Sequence, residues 1–148
     1  MQISAVREAL ADAARAVVLP VGLPKLTSSG FVPDAIIAPH FFVAEYEQTF
    51  DKVMARGLDE LIFTSRVLVG RGDDKAAQQM LDAMLSGSGP ASLKVAIEAA
   101  RGAPGDFALG GLAHDLHVMR VQGYRWYEHA GATYVGAELM IKVIGEGS

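Results

Sequence analysis

The chain has 148 residues, 51% apolar and 20% charged, with 13 Lys and Arg against 17 Asp and Glu for a formal charge of −4. That length predicts one domain over residues 1–148 that buries about two-thirds of its surface, and the composition excludes disordered, collagenous and disulfide-stapled chains. The acidic balance argues against an electrostatic grip on nucleic acid, and the absence of cysteine excludes thiolate chemistry and Cys-ligated metals.

The apolar share is high for a soluble domain, which suggests that another chain covers part of this one. Met1–Glu8 lacks a basic stretch followed by an apolar run, so no signal peptide is visible. No run approaches the ~18 apolar residues of a membrane span. The expectation is a cytoplasmic chain with no membrane partner.

Residues 3–17 place Ile3, Val6, Leu10, Ala13, Ala14 and Val17 at helical spacing, with Ser4 as the expected N-cap. Pro20 and Pro24 end this helix. Residues 25–45 read as extended chain broken by Pro33 and Pro39, with the runs 35–38 and 41–44 as edge-like strands or segments beside a bulge. Residues 46–58 have no clean period and predict a long loop carrying Tyr46, Phe50 and Met54.

Residues 59–70 alternate. Leu61, Phe63, Ser65, Val67 and Val69 share one face, and Glu60, Ile62, Thr64, Arg66 and Leu68 the other. Asp73 is the expected N-cap of a second helix over 74–86, which Gly87-Ser88-Gly89-Pro90 stops. A third helix over 91–100 carries Leu93, Ile97 and Ala100 as its stripe, and the glycine-rich stretch 101–111 is a loop. Strands at 112–127 and 132–144, joined by a tight turn at 128–131, close the chain. The order α-β-β-β-α-α-β-β predicts an α+β fold: an antiparallel or mixed sheet with the helices packed on one face.

His114-Asp115-Leu116-His117 is the sharpest apparent site. Two histidines three apart could share a metal on a helix, but on a strand this odd spacing puts them on opposite faces. His40 and His129 are isolated in the sequence. Neither a Gly-x-Ser-x-Gly elbow nor a phosphate-binding glycine pattern occurs. Arg71-Gly72-Asp73 is accounted for as a turn with a capping Asp. Glu45 and Glu47 can share a strand face and read as a solvated acidic patch. No catalytic residue, cofactor or metal is expected. The aromatics Phe31, Phe41, Phe42, Tyr46, Phe50, Tyr124, Trp126, Tyr127 and Tyr134 suggest, as a group, anchors for contact with another chain.

A series of stretches, taken in order, covers most of the chain: Ile3–Asp12; Val32-Pro33-Asp34; Arg56–Leu61; Val67-Leu68-Val69 ahead of Asp73-Asp74; Leu81–Gly89 with Ser92-Leu93-Lys94; and Tyr134–Leu139. Together they resemble the tail-terminator and neck proteins of long-tailed bacteriophages. The resemblance implies a hexameric ring of this chain at the head-proximal end of the tail, assembled in the host cytoplasm and retained in the virion. Such a ring ends polymerisation of the major tail tube protein and offers its other face to a head-side connector. The genome passes through it without specific binding.

On that reading the expected contact residues are Phe41, Phe42, Tyr46, Phe50, Met54, Arg56 and Leu58, with Trp126, Tyr127 and Tyr134 at the hairpin end. Glu45 and Glu47 are the expected channel lining, where like charge repels phosphate. The alternatives are another neck component, a small metal-dependent enzyme using His114, Asp115 or His117, and a ligand-binding α+β module whose aromatics line a pocket.

Overall fold

Alternation along Leu58–Arg71 produces one long strand, and the rest of the sheet is built on it. The computed structural model describes residues 1–19, 24–50, 57–71, 75–102 and 107–146. Its elements are α1 (Ile3–Ala14), β1 (Thr27–Ser29), β2 (His40–Thr49), β3 (Leu58–Arg71), α2 (Lys75–Leu85), α3 (Leu93–Glu98), β4 (Asp115–His129) and β5 (Ala132–Glu146). Short 3-10 turns occupy Ala99–Arg101 and Leu109–Gly111. The α+β class and the order of elements agree with the sequence reading. The five strands form one sheet in the order β1-β2-β3-β5-β4, parallel only between β1 and β2.

The expected faces of β3 are real. Leu61, Phe63, Ser65, Val67 and Val69 are all buried. Val135, Ala137, Leu139, Ile141 and Val143 of the paired β5 are buried with them. Val6 and Leu10 of α1, Leu81 and Met84 of α2, and Leu93 and Ile97 of α3 complete the cluster. Ser65 is the polar member, and its hydroxyl donates to the Leu139 carbonyl at 2.9 Å, so the burial leaves no orphan group.

The helices do not all pack on one face of the sheet, contrary to expectation. α1 docks at the β1–β2 edge. Its Arg7 guanidinium donates to the carbonyls of Val43 (2.7 Å), Ala44 (3.1 Å) and Gly30 (2.7 Å). The Ser28 hydroxyl of β1 donates back to Ala11 O at 2.8 Å. Gly30 permits this approach, because a Cβ there would lie 2.9 Å from the Arg7 and Glu8 backbone. α2 packs on β3 and β5, whereas α3 bridges α1, α2 and β4. The backbone carbonyls of the sheet edge have to be satisfied, and α1 is held where its cation can do so.

Several boundaries move. α1 stops at Ala14, and Ser4 lies inside it; Gln2 holds the cap position without a side-chain bond. Residues 35–38 form no strand, and the parallel partner of β2 is Thr27–Ser29. The expected loop over 46–58 is strand as far as Thr49, because β3 supplies a ladder partner for every residue from Glu45 to Thr49. Backbone pairing ignores side-chain polarity, so the irregular pattern misled. Asp73 and residues 20–23 lie outside the described residues. The closing hairpin turns on Ala130-Gly131 alone, at φ 51° and 82°, the left-handed pair a two-residue turn requires.

Arg7 gives a test of the edge docking. Arg7→Met keeps the aliphatic length but leaves the carbonyls of Val43, Ala44 and Gly30 without this donor. Bonds from a charged donor contribute roughly 1.5–3 kcal/mol, so the unfolding free energy should fall by about 2 kcal/mol. The urea midpoint measures this, with the slope unchanged.

Candidate functional site

β4 is an edge strand, and its two halves differ. The first half is tied down. The Glu98 carboxylate of α3 accepts the Val118 N–H at 3.0 Å and meets His117 Nδ1 at 3.1 Å and Lys94 Nζ at 2.7 Å. Burial pushes the Glu98 carboxyl up, but the bonds from Lys94 and Val118 outweigh it and hold the pKa below the usual range. Arg101 forks onto Asp115 at 2.7 and 3.3 Å, which holds that carboxyl low as well. Glu98 occupies the edge amide of Val118, which blocks pairing with another chain at that point.

Beyond Val118 the strand is bare. Met119 is 36% exposed, Val121 40%, Tyr124 47% and Trp126 65%. Two register shifts, at Val118/Arg120 and Gln122/Arg125, bend this half. The second is locked by a polar network. Gly123 adopts φ 64°, and its carbonyl accepts the Tyr127 hydroxyl at 2.5 Å. Arg66 and Arg125 lie over the Tyr127 ring at 5.5 and 4.6 Å from its centre. Arg66 also donates to the buried Glu138 at 2.9 Å, and Gln122 donates to the same carboxylate at 3.3 Å. Trp126 consequently stands beside α2 in an open cleft of about 330 Å³ with Gln78, Tyr124, Arg125 and Val135.

The expected contact residues divide. Phe41 and Phe42 are corrected: both are buried, Phe41 in the main core and Phe42 on the opposite face between His40 and His129. Neither is available to another chain. Tyr46 is 42% exposed beside Phe63, Phe50 is 70% exposed, and Leu58 is half-buried at the start of β3. Met54 and Arg56 lie outside the described residues. Trp126 is the most open residue of the hairpin end, whereas Tyr127 and Tyr134 are half-buried opposite one another.

Two separate patches result. Thr49, before Phe50, pairs with Glu60, whereas Trp126 faces Val135 beside Gly70. At about 3.3 Å per residue the patches stand roughly 30 Å apart along β3. Glu45 and Glu47 pair with Thr64 and Ile62, and they line a shallow cleft of about 200 Å³ with Arg120 and Met140. Glu45 reaches Arg66 at 3.4 Å.

The histidine motif is dispersed. His114 approaches Glu146 at 3.6 Å, Asp115 binds Arg101 and His117 binds Glu98. Among the described residues no group of three or more His, Asp or Glu is placed to hold one ion. No helix among them is long and apolar enough to cross a membrane.

Sequence reasoning missed His40. Its ring is buried, with Nδ1 2.6 Å from the Thr27 hydroxyl and Nε2 3.1 Å from the Ser29 hydroxyl. Phe42 separates it from His129, whose Nε2 meets Pro33 O at 2.8 Å. The signal was faint: a strand-initial His across the ladder from Leu68. No protein-family model matches the chain, and no curated protein matches it.

Burial, then the nearby His129, lowers the His40 pKa from 6.5. The fold thus favours the neutral ring. Its contribution is complete above pH 6.5, the unfolded value, and is lost as pH falls through the lower folded value. Urea midpoints should decline below about pH 6.5, and His40→Gln should flatten that decline while leaving the dependence at lower pH, where carboxylates titrate.

Proposed function

We propose that the protein is a structural component of a phage tail that forms a ring, ends growth of the tail tube and joins it to the head. The observation that carries this reading is that exposed aromatics stand at both ends of one sheet, with Phe31 and Phe107 exposed elsewhere. Phe50 marks one patch, and Tyr124 and Trp126 the other. Large aromatics that stay in water after folding mark contact surfaces. A joining protein needs two such surfaces, one per neighbour. The ordered resemblance along the chain supports the same reading.

The mechanism is steric. One ring face occupies the docking edge of the last tube ring and denies it to the next tube subunit. The other face presents different side chains to the head-side connector. Glu45 and Glu47 line a cleft with Tyr46 and Arg120, and this reading assigns it to the channel lining. No bond is made or broken.

Adding the purified protein to a polymerising phage tail tube protein tests this. Tubes imaged by negative stain should stop growing, with extra density at one end. Trp126→Ser and Phe50→Ser, both at exposed positions and so within about 0.5 kcal/mol of native stability, should each remove one of the two attachments. Tubes of unchanged length and bare ends would overturn the reading. Attachment only to a portal-side ring would reassign the protein to another neck position.

A further inference from the structure

The described sheet has two open edges. β1 pairs only with His40–Phe42 of β2, and Arg7 occupies the carbonyls of Val43 and Ala44. From Glu45 to Thr49 no strand flanks the outer side of β2 among the described residues. At the other edge, the guard on β4 ends with Glu98 at Val118, and among the described residues no strand flanks the outer side of β4 beyond it. We propose that these two open stretches pair with each other between copies, β4 of one against β2 of the next, so that a single sheet runs from subunit to subunit. The inference rests on the ring reading and supplies its joint.

Strand direction permits this. β2, β3, β5 and β4 alternate in direction, so β4 runs opposite to β2. A rotation that carries one copy to the next without inverting it then sets β4 antiparallel to the neighbouring β2. A head-to-tail contact of this kind closes into a ring when the rotation between copies divides a full turn evenly.

Charge selects the partner. The bare half of β4 carries Arg120 and Arg125, and the open part of β2 carries Glu45 and Glu47. Pairing β4 with its own copy about Gln122-Gly123 would set Arg120 against Arg125, which is unfavourable across a ladder. Placing Arg120 opposite Glu47 fixes an antiparallel register in which Gln122 faces Glu45 and Val121 faces Tyr46. Val121 and Tyr46, 40% and 42% exposed in the single copy, then bury against one another as a β-branched–aromatic pair.

The natural chain has no cysteine, which allows a direct test. Within one copy two strands lie between positions 46 and 121. That is about 14 Å along the sheet, whereas a disulfide needs Cα atoms within about 7 Å. The double variant Tyr46→Cys/Val121→Cys, mildly oxidised, should therefore give a ladder of covalent multimers ending at the ring number, and each single variant should give none.

Charge variants guard against a cysteine that disturbs the joint. Arg120→Glu and Glu47→Arg should each weaken self-association at least tenfold, and the two together should restore it. A native-mass oligomer with no ladder and no response to the charge changes would overturn the edge pairing but leave the ring reading standing. Covalent dimers from Val121→Cys alone would overturn it in favour of β4 pairing with its own copy. A single-copy mass for the unmodified protein at high concentration would overturn both readings.

Discussion

An open sheet has two edges, and each must be satisfied, shielded or left for another chain. This constraint organises the molecule more than any core contact does. Arg7 reaches from α1 to the β2 edge carbonyls, and Glu98 reaches from α3 to a β4 edge amide. Opposite charges serve the two edges because one offers acceptors and the other a donor. These two side chains also decide where α1 and α3 sit, which is why the helices leave the single layer that binary patterning implies. Each guard stops short: among the described residues no strand covers the β2 edge beyond Ala44 or the β4 edge beyond Val118.

The hairpin end is rigid for a different reason. The left-handed Gly123, the Tyr127 hydroxyl on its carbonyl and two stacked guanidinium groups fix a kink in β4. Glu138, buried on β5, compensates Arg66 and takes a further bond from Gln122. A buried carboxylate with charge-assisted partners is well satisfied. The network therefore sets the direction in which Trp126 points.

Long alternation was legible: β3 and β5, with their faces, could be read from residues 59–70 and 132–144 almost to the residue. α2 and α3 could be read in place, with Leu93 and Ile97 buried as expected, whereas α3 is shorter than 91–100 and Ala100 falls in the 3-10 turn beyond it, half-buried. What could not be read was everything decided by a partner distant in sequence. β1 exists because His40–Phe42 lies beside Thr27–Ser29, and Glu45–Thr49 is strand because β3 supplies its ladder. Burial of Phe42 depends on the opposite face being closed near His40 and His129, a contact spanning most of the chain. For the candidate surface, Tyr46, Phe50 and Trp126 were visible as aromatics outside regular patterns. The open edges were not visible, since a sequence does not tell which strand is last in a sheet.

We propose that the apolar and charged groups exposed at the two edges are completed by further copies of the same chain, and that the protein acts through the shape so formed. Sedimentation velocity of the unmodified protein across a wide concentration range tests this most directly. The account predicts one discrete closed species, with a mass six times 15.7 kDa, that does not grow further with concentration. A single-copy species at every concentration, or an open-ended series of ever larger species, would contradict it.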